Sequence, residues 1–336
     1  MATSPEVRPA VPVHDRVPPA APAAPTAAPT AGSADAAADL PIVRRRHPGQ
    51  WLSTALALLA LAMVVNSLVR NPRFQWGVVG DYLTTGAVLH GLTLTLWLTA
   101  ATMLLGFALG TLLAAARIWG NLLLRTLSWA YVWLFRSIPP LVQLLLWFNI
   151  GALYPTLGLG IPFGPEFLTV RTVNLFGPVL TSVIGLTLLE AGFAAEVVRG
   201  GILSVDQGQL EAAQSLGLGR LRVLRRIVLP QAMRSIVPTA ANSLVALLKG
   251  TSIVSVLAVQ DLLYSVQLIY NQTYQIIPLL LVATLWYLLL TSLLSIGQYY
   301  LERHFARGSG RGTPTPGPLR QARAGLARLR ERVDAR

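Results

Sequence analysis

Four ionisable side chains stand inside otherwise apolar runs of this chain: Arg136, Glu190, Glu196 and Lys249. A charge held in hydrocarbon costs at least about 2.5 to 3.5 kcal/mol, so such residues pair with one another or serve a polar path. Arg136 comes just before Pro139-Pro140, where a helix must break and restart. The restarted half presents free amides and a positive dipole end at membrane depth, where an anion such as a substrate carboxylate is welcome. At helical rise, Glu190 and Lys249 each sit about 14 to 17 Å deep, counting inward from the ends of their runs that face the 199–238 segment, expected to be cytoplasmic. That matched depth admits an ion pair between them. It equally admits a Glu190 that faces a pathway and attracts a cationic substrate group. Glu196 is close enough to Arg199, three residues on, to pair with it.

Enzymatic chemistry has no foothold. His14, His47, His90 and His304 are scattered without ligand spacing, and cysteine is absent. Neither a Gly-x-Ser-x-Gly elbow nor a glycine-rich loop ending in Gly-Lys-Ser/Thr occurs, so metal binding and nucleophilic catalysis are not expected. Any ATP and magnesium used must be bound by another chain.

A polar interlude at residues 199–238 separates two apolar runs. Gly200 and Gly201 are expected to end the preceding helix. Asp206 with Gln209 has the spacing of a capping box opening a short helix from about Gln207 to Leu216. Leu210, Ala213 and Leu216 fall on one face, and Gly217 stands where a left-handed C-cap glycine belongs. A second helix carries Arg220, Arg222, Arg225 and Arg226 and is expected to end or kink near Pro230. The first helix is too short and polar to span a bilayer. Gly208, Ala212, Ala213 and Gly217 allow close approach of another protein, and Glu211 offers a charged contact, so it reads as a docking helix. The competing reading is an amphipathic helix lying on the lipid surface.

The elements that must hold these residues follow from composition. Of 336 residues, 53% are hydrophobic and 12% charged, too apolar for a soluble domain, where about a quarter are charged. Runs of roughly 20 apolar residues cross a bilayer. Six qualify: 51–69, 88–116, 127–150, 179–198, 238–258 and 277–300. The second is rich in Gly and Thr, with a GxxxG at Gly106 and Gly110 that suits close helix contact. On this division 22 of the 27 Lys and Arg fall on one side, three on the other and two inside. That asymmetry places both termini in the cytoplasm. The net charge of +13 therefore concerns topology and anionic membrane lipid, and nucleic acid is not an expected partner. Residues 1–50, with 13 alanines and eight prolines in the first 40, read as a disordered cytoplasmic tail. Arg44, Arg45 and Arg46 before the first run make it a retained signal anchor. The connection 151–178, punctuated by Pro155, Pro162, Pro165 and Pro178, reads as a structured external loop or short re-entrant piece. The basic tail 303–336 carries Leu319, Ala322, Leu326, Leu329 and Val333 at helical spacing. It either rests on the inner leaflet or is solvated.

Four stretches carry a family resemblance. Glu211-Ala212-Ala213, Gly217, Ile227 and Leu229-Pro230 resemble the coupling loop of bacterial ABC importer permeases. F-R-S-I-P-P-L-V-Q-L at 135–144, G-F-A-A-E-V-V-R-G-G-I at 192–202 and L-L-K-G-T-S-I-V-S at 247–255 resemble the polar amino acid uptake group in particular. Phe193 stands where that group has tyrosine, Gly250 where it has aspartate, and Ser137-Ile138 where it has Gly-Thr. The match covers 90–304. It implies an all-α integral membrane protein with a five-helix permease core at 88–302, one extra N-terminal transmembrane helix, six spans in all, and a cytoplasmic coupling helix. It implies as partners a cytoplasmic ATPase dimer, a second identical or homologous permease subunit and an extracytoplasmic amino-acid-binding protein. Gly208, Glu211, Ala212, Ala213, Gly217 and Pro230 would couple to the ATPase. Arg136, Pro139, Gln143, Glu190, Glu196, Lys249, Thr251 and Ser252 would line the substrate pathway. An ion-coupled secondary transporter of amino acids or other small polar solutes is the alternative, since it too buries charges at the midplane.

Overall fold

The computed structural model describes residues 48–161 and 166–306; the expectations for the N-terminal tail (1–47) and for the amphipathic pattern after 306 lie outside the described residues. The chain divides after Ser67 into two units. The first contains most of α1 (Pro48–Arg70), whose described side chains are exposed on every face. A helix apolar all round is a lipid-facing span.

In the second unit, a single 3₁₀ turn leads to the short helix α2 (Trp76–Leu83) and then to α3 (Gly86–Trp119). Helix α3 is the mast of the bundle. Its buried residues contribute to three successive core clusters: Val88 and Leu92 to one, Leu98 to the next, Ala114 to the third. Gly91, Thr95, Thr99, Thr102, Gly106 and Gly110 are buried along the same helix. Small side chains let backbones approach; the Thr99 hydroxyl donates to the Thr95 carbonyl at 2.7 Å, whereas that of Thr102 is buried with no hydrogen-bond partner among the described residues.

The third apolar run is broken as Pro139-Pro140 requires. Helix α4 (Leu122–Ser137) and helix α5 (Pro140–Phe148) meet at 102°. Ile138 is extended (φ −93°, ψ 132°), as a residue before proline must be. The connection after α5 then forms a feature the sequence did not announce: an antiparallel hairpin of β1 (Thr156–Gly160) and β2 (Glu166–Arg171), with Thr156 opposite Arg171. Helix α6 (Pro178–Leu203) runs parallel to α3. The short helix expected in the polar interlude follows as α7 (Gln207–Ser215).

A helical turn at Arg220–Val223, a π turn at Leu224–Val228 and α8 (Leu229–Gly250) form one run, extended by a 3₁₀ turn to Leu257. Pro230 therefore neither ends nor breaks it. The π turn absorbs the missing proline N–H, and the helix begins near 220, ahead of the apolar run at 238. Helices α9 (Leu262–Thr273) and α10 (Ile276–Ala306) complete the bundle. Among the described residues five helices are long and apolar enough to cross a membrane, six if α4 and α5 form one bent span. The expected count of six thus depends on that pair.

Candidate transport pathway and docking helix

The α3–α6 contact is the most extensive in the bundle, and glycine makes it so. A Cβ on Gly106 would lie 2.8 Å from the side chain of Glu190; one on Gly110 would lie 2.6 Å from Cβ of Ala194 and 2.8 Å from the Ala191 carbonyl. The GxxxG is the crossing point. Gly201 has the same role further down, against Ile236 of α8. Helix α6 runs through Gly200 and Gly201 to Leu203, so this pair does not terminate the helix as expected; Gly201 packs it against α8.

Glu190 is 7% exposed, and its Oε1 is buried without a hydrogen bond among the described residues. Lys249 is exposed on α8, and the two form no ion pair. Equal depth on consecutive spans did not bring them together, because α6 turns Glu190 toward Gly106 of α3. Glu196 does pair with Arg199, at 2.8 Å, and also with Arg117 at the end of α3. Arg117 escaped the sequence reading because its partner lies 79 residues away.

Gln143 is 3% exposed. Its Nε2 donates to the Phe135 carbonyl at 2.7 Å and the Ile138 carbonyl at 2.9 Å. Those carbonyls end α4 and lose their helical donors at the proline pair, so Gln143 reaches back from α5 and satisfies the break. The guanidinium of Arg136 lies 5.1 Å from the centroid of the Phe193 ring, a cation–π contact. Arg136, Phe193, Glu196 and Arg117 line one open cavity of about 370 Å³. Glu190, Lys249, Thr251 and Ser252 do not line it. Thr251 and Ser252 both donate to carbonyls of their own helix, Leu248 and Lys249, at 2.8 Å.

Of two further polar residues, Thr95 belongs to the Gly- and Thr-rich second run, and Asp261 was not singled out by sequence. Thr95 accepts from the Leu262 N–H at 3.0 Å, and Asp261 caps α9 by accepting from the Tyr264 N–H at 2.8 Å. Asp261 is fully buried, and burial pushes its carboxyl up to about 6.

Helix α7, the candidate docking helix, begins at Gln207 and Gly217 adopts φ +69°, both as the pattern required. Its C-terminus is a Schellman motif: Leu218 N–H donates to the Ala213 carbonyl at 3.1 Å and Gly217 N–H to the Gln214 carbonyl at 2.9 Å. The capping box does not form. Asp206 makes no side-chain cap, and Gln209 instead accepts from Gln231 Nε2 at 2.5 Å. Ala213 is buried and Leu210 packs on the third core cluster, whereas Leu216 is 79% exposed. The seated face is thus narrower than the three-residue stripe expected. Gly208, Glu211, Ala212 and Gly217 are all exposed.

The profile of the binding-protein-dependent transport system inner membrane component matches residues 106–307. The chain belongs to that family. It is a multi-pass membrane permease of the ABC type, a transport component rather than an enzyme or an ion-coupled secondary transporter. It is 40% identical over 282 residues to the arginine transport system permease protein ArgU of Corynebacterium glutamicum, covering 83% of this chain and 87% of that one. That length exceeds the 90–304 core, so the likeness continues into flanking sequence. The L-cystine transport system permease protein TcyL of Bacillus subtilis is 34% identical over 56% of this chain and 74% of its own. Among solved structures, an amino acid ABC transporter with histidines matches at TM-score 0.55 and 29% identity, over 65% of this chain and 94% of that one. An inward-facing MetNI methionine ABC transporter shares the fold at TM-score 0.52 and 22% identity, over 65% and 96%.

Proposed function

We propose that this permease imports polar amino acids, arginine first among them, delivered by an extracytoplasmic binding protein and driven by a cytoplasmic ATPase dimer docked on α7. The substrate class is supported by the 40% identity to the arginine permease. The docking site rests on one observation: α7 is seated by Leu210 and Ala213 while Glu211, Ala212 and Gly217 face outward. ATP and magnesium belong to the ATPase, and motion of α7 passes to α3, α6 and α8 through the cluster of Ala114, Val198, Val205, Val228, Ala232 and Ile236. Substrate crosses by alternating access between two permease subunits. Both termini and α7 lie on the cytoplasmic side, by the arginine distribution.

The test is reconstitution of the full chain with its ATPase and binding protein in liposomes. Arginine-loaded binding protein should stimulate ATP hydrolysis and arginine uptake; stimulation by a non-amino-acid solute alone would overturn the substrate class. Orientation is checked on the cysteine-free chain. A cysteine at Gln214 should escape an impermeant maleimide in intact cells, and one at the 86% exposed Tyr274 should react.

A further inference from the structure

At the end of the bundle that carries α7, the C-terminus of α3, the N-terminus of α4 and the C-terminus of α6 enclose an open cavity of about 590 Å³. Arg117, Arg125 and Arg199 line it, one from each helix. Their charge is not balanced from within. Glu196 is shared by Arg117 and Arg199, and Arg125 forms no ion pair among the described residues. Arg125 also sits in the first turn of α4, a turn with no acidic residue. A cation there opposes the helix dipole, so a bound anion is favoured twice over.

The surroundings are those of a membrane boundary. On α4, Leu122, Leu123 and Leu127 are 80%, 66% and 57% exposed, and Trp129, which forms one wall, is 52% exposed. Tryptophans collect at the headgroup level of a bilayer. The cavity adjoins the 370 Å³ one, with which it shares Arg117 and Trp129. That second space continues along α4 past Val132 and Trp133. A cluster of guanidiniums thus opens onto an aromatic and apolar trough parallel to a spanning helix. Guanidinium forks match phosphate oxygens, and basic pockets between helix ends take anionic headgroups.

We propose that this cavity holds the headgroup of an anionic phospholipid, phosphatidylglycerol in type, from the leaflet at the α7 end, with an acyl chain along Trp129, Val132 and Trp133. The phosphate is held by Arg125 with Arg117 and Arg199. The three guanidiniums of the headgroup cavity would repel a cationic substrate; the acyl chain lies along one wall of the 370 Å³ cavity that Arg136 and Glu196 also line.

The test is native mass spectrometry of the full chain released from nanodiscs of phosphatidylcholine mixed with phosphatidylglycerol. Wild type should retain phosphatidylglycerol over phosphatidylcholine by about fivefold or more. Arg125→Gln should lose about fivefold in that preference, the worth of one cation near an anionic surface. Arg125→Lys should keep most of it. Arg222→Gln, in a separate exposed basic cleft, should leave it unchanged. Because Arg125 is exposed, folding should survive; brominated phosphatidylglycerol quenching tryptophan fluorescence more than brominated phosphatidylcholine is a reading that needs no variant. Equal retention of the two lipids, indifference to Arg125→Gln, or displacement of the lipid by millimolar inorganic phosphate would each overturn the proposal. So would a cross-link placing a second copy of the chain over Arg125.

Discussion

At Gln143 a single amide closes two open ends of backbone. A leucine in its place would keep the volume but leave the Phe135 and Ile138 carbonyls without their donor, at a membrane depth where no water substitutes. Gln143→Leu should therefore destabilise the protein by about 1–3 kcal/mol, read as a lower melting temperature in detergent; an unchanged one would show that the break needs no staple. The sequence places Gln143 in the substrate pathway because it belongs to a matched stretch. Its contact depends on how sharply α5 turns back, which the proline pair dictates only in kind. Asp261 gives a pH signature. Its folded carboxyl titrates near 6 against an ordinary 3.8, so the native state binds the extra proton and ionisation is what costs stability. That cost is absent below about 4, grows as pH rises, and is complete above about 6. Asp261→Asn keeps a capping oxygen, should raise stability at pH 7, and should flatten the stability–pH curve between 4 and 6. A curve that keeps its slope in the variant would assign the titration elsewhere.

Helices here are short on side-chain signals and rich in backbone ones, and this decides which elements could be read in advance. Gly217 was legible because a left-handed C-cap has a local cause: φ +69° with two reverse hydrogen bonds from Gly217 and Leu218. Gly200-Gly201 misleads because glycine both ends helices and lets them touch, and only the position of Ile236 tells which. The π turn ahead of Pro230 and the hairpin 156–171 were missed although their causes are local: a proline was read only as a helix end or kink, and the strands 156–160 and 166–171 lie in a stretch read as a loop. At α7 the cap adjoins the exposed Glu211 and Ala212 that the proposed docking to the ATPase uses. A valine at 217 must adopt a left-handed conformation costing about 1–2 kcal/mol or unwind the Schellman turn, which moves Glu211 and Ala212 relative to the bundle. Gly217→Val should insert normally yet lose co-purification with the ATPase and lose uptake. Normal recovery of the ATPase with normal uptake would remove α7 from the docking role.

For the molecule as a whole, the long apolar helices, the broken helix and the short helix α7 were legible from apolar run lengths, one proline pair and one polar interlude, whereas side-chain partners across helices were not. The Glu190–Lys249 pairing shows why. Depth along a span is set by counting, but azimuth is set by which small residues admit a neighbour, and Gly106 draws Glu190 to α3 while Lys249 is left exposed on α8. A carboxyl that is 7% exposed, with one oxygen unpartnered and no cation bound to it among the described residues, has two uses left. It is a structural wedge at the crossing, or it receives a cationic group when α3 and α6 move apart in the transport cycle. A double-mutant cycle with uptake measured alongside separates them. Glu190→Gln and Lys249→Met should show a coupling energy near zero, because no pair exists to break. If Glu190 meets substrate, the single change Glu190→Gln should cut arginine uptake by about tenfold or more, the worth of one charge-assisted hydrogen bond, while uptake of a neutral amino acid such as glutamine holds. Equal loss of both substrates with a lowered melting temperature would make Glu190 the wedge, and a coupling energy above about 1 kcal/mol would restore the ion pair.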